Sequence, residues 1–217
     1  MTTIKEHCCG ADQFFDKKTA KKQYKNYLKK GPSRVTKKLI GQLEKTNTGE
    51  SLIDVGGGIG AIQWWFLNHG GEQTFGVDAS SGYLNLAQEH ASKNNLKENT
   101  HFMMGDFTDK AEELPKANHV TLDKVICCYP NFEAILNLAC EKATNTVSLS
   151  FPMDGFISSI FRSLGVLYMK LTGCSFKPYI HRVASVRALF VENGFELKDK
   201  ELSFPWHIET YIKKDFQ

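Results

Sequence analysis

The chain has 217 residues, 41% hydrophobic and 24% charged, which is enough for one well-filled core and short for two domains. A formal net charge of +3 gives no argument for a nucleic-acid partner, even though Lys17, Lys18, Lys21, Lys22, Lys25, Lys29, Lys30, Arg34, Lys37 and Lys38 crowd the N-terminal segment. The cysteines stand as Cys8-Cys9, Cys127-Cys128, Cys140 and Cys174, which suits neither a disulfide framework nor a Cys-x-x-Cys zinc clip. No metal site is expected, and the expected setting is a reducing cytoplasm.

In chain order, residues 11–30 carry Phe14, Phe15, Ala20, Tyr24, Tyr27 and Leu28 on a lysine-rich background and predict an amphipathic helix, broken at Gly31-Pro32. A second helix over 33–45 starts at Ser33 as its cap and buries Val35, Leu39, Ile40 and Leu43. Strands and helices then alternate: strand 51–55, helix 61–69, strand 73–77, helix 82–94, strand 100–104, a weaker helix near 109–113, strand 120–127, helix 132–142 and strand 146–151. Such alternation implies parallel pairing with right-handed crossovers, hence a doubly wound α/β sheet.

After the fifth strand a mostly apolar helical insert is expected over 155–173, then a helix over 184–193 closed by Gly194. Its apolar run Phe156 to Leu171 contains Arg162 and Lys170, so it is no membrane span. The insert either caps an acceptor pocket or packs on the N-terminal helices or another subunit. Runs 195–202 and 206–212, joined only by Ser203-Phe204-Pro205, predict an antiparallel hairpin at the sheet edge. One domain over 1–217 is expected, with a helical cap over 1–46 and a cofactor-binding core over 51–217.

The chemistry concentrates where the first strand meets a glycine turn, Asp54-Val55-Gly56-Gly57-Gly58-Ile59-Gly60-Ala61. Glycines there let the backbone turn sharply and come close to a ligand, and the helix that follows aims its N-terminus at the same point. The turn also satisfies a dinucleotide fingerprint, so it does not choose between cofactors by itself. Asp78, at the end of the second strand, has two acceptor oxygens suited to a ribose, again under either cofactor.

The layout of five parallel strands and a closing hairpin, with Asp54-x-Gly56-x-Gly58-x-Gly60, Asp78-Ala79 and Asp106-Phe107 at successive strand ends, resembles the class I S-adenosylmethionine-dependent methyltransferases. That resemblance implies S-adenosylmethionine as cofactor, held by Asp54, Gly56, Gly58, Gly60, Asp78 and Ala79, with Asp106 and Phe107 at the adenine and Cys127 nearby. Residues 122–130, ending Cys127-Cys128-Tyr129-Pro130, are similar to the fourth-strand segment of the magnesium-protoporphyrin O-methyltransferase group. That group commonly has His where Cys128 stands, and the same Cys-Cys-Tyr-Pro occurs in a bacterial group of methyltransferase-domain proteins.

The resemblance implies methyl transfer to a small-molecule acceptor, hydrophobic or flat if the insert caps its pocket, with oxygen favoured. Cys128, Tyr129 and His181 are the candidates for the acceptor side, and Tyr24 and Tyr27 sit on a helix that in this family often folds over the cofactor as a lid. Trp64, Trp65 and Trp206 are assigned to core or interfaces. The alternatives are an NAD(P)-dependent oxidoreductase, for which no Tyr-x-x-x-Lys pair exists, and a non-catalytic cofactor-binding or RNA-associated protein.

Overall fold

A computed structural model describes residues 10, 12–46, 49–155 and 176–214. Its centre is a seven-stranded sheet of β1 (Ser51–Val55), β2 (Gln73–Asp78), β3 (Thr100–Met104), β4 (Ala117–Asp123), β5 (Ala143–Pro152), β6 (Phe195–Ser203) and β7 (Trp206–Lys213). The spatial order is β3-β2-β1-β4-β5-β7-β6, with β7 alone running antiparallel to its neighbours. Order reverses between β1 and β4, and in open α/β sheets ligands sit at the carboxyl ends of the strands at such a switch point. The expected α/β, doubly wound, mostly parallel fold with its terminal hairpin is the observed one.

The helices are α1 (Lys17–Lys30), α2 (Arg34–Glu44), α3 (Ala61–Asn68), α4 (Ser81–Lys93), α5 (Phe107–Lys110), α6 (Phe132–Lys142) and α7 (Val183–Glu192). The helix expected over 11–30 is interrupted instead of continuous: residues 12–14 are already helical, and the chain breaks at Phe15 and Asp16 before α1. Asp16 takes an extended conformation and its carboxylate accepts from the Thr19 amide at 2.8 Å, so the helix begins there. Ser33 caps α2 as expected, accepting from the Thr36 amide at 3.3 Å.

One correction matters for the site. The fourth strand ends at Asp123, four residues before the expected boundary, because Lys124 adopts φ +64 and turns the chain out of the sheet. Ile126, Cys127 and Cys128 then form a short 3₁₀ turn, so the cysteines follow the strand instead of ending it.

The main core lies between the sheet and α6 and α7, with Ile53, Val55, Val120, Leu122, Val147 and Leu149 buried from the strands. On the other face α2 inserts Val35, Leu39, Ile40 and Leu43 against Leu52, Ile62, Phe66 and Ile208. Each such fully buried side chain contributes about 1.5–3 kcal/mol. Buried Gln42 satisfies its amide by donating to the Ile208 carbonyl at 3.1 Å and accepting from Thr210 Oγ1 at 2.9 Å. Glu209 is buried in β7 against Arg187, which binds it as an ion pair, and Tyr211, which donates to it.

The first helix buries only Ala20 completely, and packs Tyr24 and Tyr27 edge-on against Trp64. It lies close over α4, where a Cβ on Gly82 would stand 2.8 Å from the Lys17 nitrogen. The expected insert falls almost wholly outside the described residues, as do Cys8, Cys9 and Cys174. Among the described residues no helix is long and apolar enough to cross a membrane.

Candidate active site

The glycine turn leaves β1 beneath the loop that follows β4. Gly56 has φ +60, and a Cβ there would stand 2.6 Å from Val125 Cγ2, so both conformation and space demand glycine. Gly58 has φ +56 and runs against the Tyr83 ring, while Gly60, at φ +89, caps α3 without any side chain. The N-terminal end of α3 thus faces the carboxyl edge of the sheet with its positive dipole end.

Asp54 is 1% exposed; its Oδ1 accepts from Thr121 Oγ1 at 2.6 Å and its Oδ2 from Gln63 Nε2 at 3.3 Å. Burial pushes its carboxyl up to about 7, against the opposing pull of those two hydrogen bonds. Asp78 joins two turns: Oδ2 accepts from the Gly58 amide at 2.9 Å and Oδ1 from the Ser80 amide at 2.8 Å. Burial also raises the Asp78 carboxyl, and the Ser80 and Gly58 amides counter it. Each carboxylate oxygen keeps a further acceptor direction, so bonding the loop amides and receiving a ligand's hydroxyls are compatible. Ala79 is half-buried in the turn between Asp78 and Ser80.

These groups open onto a cavity of about 1150 Å³. That exceeds the range of roughly 300–1,000 Å³ for small-molecule sites and leaves room for a nucleotide and a second ligand. Asp54, Gly56, Gly58, Asp78, Cys127, Cys128 and Tyr27 all line it, so the structure brings seven of the expected site residues to one space. The two thiols are half-buried and both reach toward the Lys124 carbonyl, with Cys127 Sγ at 3.3 Å and Cys128 Sγ at 3.8 Å.

Other expected residues lie elsewhere. Gly60, Ala79, Asp106, Phe107, Tyr129, Tyr24 and His181 are not among the described residues of that wall. Asp106 caps α5 by accepting from the Thr108 amide at 2.8 Å and also accepts from Tyr129 Oη at 2.9 Å. Phe107 is 1% exposed within the main core. His181 has its Nε2 within 2.9 Å of the Ile126 carbonyl and 3.0 Å of the Tyr129 carbonyl, which places the ring proton on Nε2 and makes the side chain a clip across the 3₁₀ turn. Burial lowers its pKa. The Tyr179 amide adds a third tie to the same turn, donating to the Cys127 carbonyl at 2.7 Å. Tyr24 pairs its hydroxyl with His90 Nδ1 at 2.9 Å.

Several wall residues escaped the sequence reading. Asp123 and Lys124 follow β4; Asp123 Oδ2 accepts from Thr36 Oγ1 at 2.6 Å and lies 3.2 Å from Lys124 Nζ, while Oδ1 accepts from Ser150 Oγ at 2.6 Å. Trp206, assigned to core or an interface, lines the cavity with Lys124 Nζ 6.0 Å from its ring. Tyr83 is 3% exposed, lines the cavity, and buries a hydroxyl with no hydrogen-bond partner among the described residues. Its place in the first turn of the helix after Asp78 is the signal that could have found it, since that turn faces the same end of the sheet.

Comparison with known proteins agrees with this geometry. A family profile described as "Methyltransferase domain" matches residues 46–169, more than half of the chain. Over 70 residues the chain is 33% identical to the phosphoethanolamine N-methyltransferase of Plasmodium falciparum; the match covers 32% of this chain and spans about a quarter (26%) of that curated relative's length. Magnesium protoporphyrin IX methyltransferase from Synechocystis PCC 6803, solved with bound SAM, superposes with a TM-score of 0.69 at 18% identity, covering 98% of this chain and 100% of that one. An O-methyltransferase family protein from Burkholderia thailandensis gives 0.67 at 11% identity, over 85% of this chain and 57% of that one. The chain therefore belongs to the methyltransferase-domain family, the class I S-adenosylmethionine-dependent methyltransferases.

Proposed function

We propose that this protein transfers a methyl group from S-adenosylmethionine to a small-molecule acceptor bound beside it, with oxygen as the favoured accepting atom. The observation that carries the reading is a single cavity walled at once by the glycine turn, by Asp78 and by the Cys127-Cys128 turn. The family match tells against the alternative of an NAD(P)-dependent oxidoreductase.

The residues present fit the cofactor. Gly56, Gly57 and Gly58 present a wall without side chains to the cavity, and Asp78 retains acceptor directions for two ribose hydroxyls. The Tyr83 ring packs beside Gly58 on the same wall, while its hydroxyl is buried away from the cavity with no hydrogen-bond partner among the described residues. When bound, S-adenosylmethionine supplies an already activated methyl group on a sulfonium.

The work left to the chain is positioning and exclusion of water, which together supply much of the rate of such a displacement. Tyr27 from α1 and Trp206 from β7 close the cavity from two sides. The turn carrying Cys127 and Cys128 forms the wall where an acceptor would lie, and His181 keeps that turn in place through two carbonyls. An ionised carboxylate or phenolate acceptor is a nucleophile without further help, so no strong general base is required. Tyr129, whose hydroxyl donates to Asp106, supports the same turn from behind. We take residues 1–46 as a helical cap on a single methyltransferase domain that continues through 51–217.

Thermal unfolding with saturating S-adenosylhomocysteine or NADH separates the readings. A midpoint raised by several degrees with S-adenosylhomocysteine is expected. Stabilisation by NADH alone overturns the proposal, and loss of the shift in Asp78→Ala at retained fold supports the ribose role. Release of S-adenosylhomocysteine across a panel of carboxylate, phenol and amine acceptors then identifies the accepting atom.

A further inference from the structure

The most unusual surface is one face of α1. Lys17, Lys18, Lys21, Lys22, Lys25 and Lys29 are all exposed and border one groove. At about 100° per residue these six positions fall within an arc of about 140°, and they run about 18 Å along the axis. Between residues 17 and 38 there are ten basic residues and no acidic one, although the whole chain carries only +3. Asp16, the acid bordering the groove, is occupied as the helix cap, and Glu89 on the neighbouring α4 is ion-paired with Lys93.

This arrangement works against the helix that carries it. Lysines four apart, as in 17 and 21, 18 and 22, 21 and 25, 25 and 29, repel across successive turns. Lys17 and Lys18 also oppose the positive end of the helix dipole, offset there by the capping Asp16 carboxylate with no acid in the first turn itself. Local rules broken in this concerted way mark a surface shaped by what it binds rather than by folding.

We propose that the lysine face of α1 docks the protein on an anionic lipid bilayer. The stripe contains lysine and no arginine or aromatic residue, so it offers hydrated point charges to a diffuse negative plane, without the guanidinium forks and stacking rings that hold nucleic acids. Leu28, 60% exposed, projects at the edge of the same arc and adds an apolar contact at the surface. Asn26 borders both the lysine groove and the catalytic cavity, and Lys30, Arg34 and Lys37 continue the positive charge along the cavity rim. Docking through this face sets the cavity mouth beside the headgroups, where a lipophilic acceptor would be met.

Co-sedimentation of the full chain with phosphatidylcholine vesicles, and with vesicles containing one quarter phosphatidylserine, tests the proposal. Each lysine near such a surface is worth about fivefold in partitioning. The variant K18Q/K21Q/K22Q/K25Q should therefore lose at least about a hundredfold in binding, and the wild type should be released from the anionic vesicles when salt is raised to about 0.5 M, where the Debye length has shrunk well below 8 Å. Glutamine matches lysine in helix propensity, so the variant's melting temperature should stay level or rise as repulsion is relieved. Absence of binding to phosphatidylserine vesicles at low salt overturns the proposal, as does unchanged binding by a folded variant. Tighter binding to poly(U) than to the vesicles overturns it in favour of a nucleic-acid partner. Cofactor-induced thermal shifts measured on the same samples report on the methyltransferase reading separately.

Discussion

Replacing Asp54 with Asn should remove a defined component of the protein's pH dependence. Burial moves the Asp54 carboxyl from its ordinary 3.8 to about 7, so the folded chain holds this proton more tightly than the unfolded chain does. The contribution of the group to stability is then fully present below about pH 4, is lost as pH rises toward 7, and is constant above about 8. A gap of about three pH units corresponds to a full loss of about 4 kcal/mol, of which roughly 2 kcal/mol falls between pH 5 and 7. Asparagine keeps the acceptor for Thr121 Oγ1, and Gln63 can turn its amide so that Oε1, which has no partner among the described residues, accepts from the new amide. Urea unfolding of both proteins from pH 5 to 8 measures the difference directly. The stability of Asp54→Asn relative to wild type should climb by roughly 2 kcal/mol between pH 5 and 7 and then level off. Parallel curves, or a difference that shrinks as pH rises, would refute the assignment of a neutral buried acid beneath the glycine turn.

Tyr83→Phe should leave both stability and ligand binding intact or better: the deleted hydroxyl is buried without a hydrogen-bond partner among the described residues, and the ring that packs beside Gly58 is kept, so urea unfolding should give equal or higher stability and calorimetry an unchanged affinity for S-adenosylhomocysteine. A clear loss of stability, or of affinity, would show that the hydroxyl is engaged and refute this reading. His181→Ala removes the bridge between the Ile126 and Tyr129 carbonyls and should lower stability by about 1–3 kcal/mol in denaturant unfolding; His181→Gln, able to donate to one carbonyl, should recover part of it. Full stability in the alanine variant would show that the turn does not depend on the clip.

The sheet was legible because its strands are short apolar runs punctuated by glycine and separated by single helices, and periodicity reads such alternation well. The meeting of Gly56, Gly58 and Asp78 at one cavity was legible for a related reason: local turn geometry places them, and their spacing along the chain survives into space. What was not legible depends on tertiary contact. The end of β4 turns on a lysine in a left-handed conformation, which no residue preference announces, and that is why Cys127 and Cys128 were expected in the strand. Thr36, Asp123, Lys124 and Trp206 reach one wall only because α2 packs across the sheet to the C-terminal hairpin, a contact between segments more than 150 residues apart. His181 illustrates the converse, since a histidine after the insert looked free to meet an acceptor but its Nε2 is spent on two carbonyls.

The seating of α2 on the β6–β7 hairpin also bears on how the protein comes into being. Gln42 is tied to Ile208 and Thr210, Lys45 to Asp199, and Lys38 to Glu201, all across separations of 154 to 168 residues. Loops of that length close late and slowly, because their entropy must be overcome before any contact rewards it. During synthesis α2 can meet Leu52, Ile62 and Phe66 early, but Ile208 and the partners of Gln42 only when β7 arrives, so part of its apolar face remains uncovered while the parallel strands assemble. The cavity wall formed by Thr36 and Trp206 is therefore among the last features to be completed. A chain arrested short of β7 would hold a finished glycine turn beneath an open, adhesive surface, and would be prone to aggregate before it could bind its cofactor.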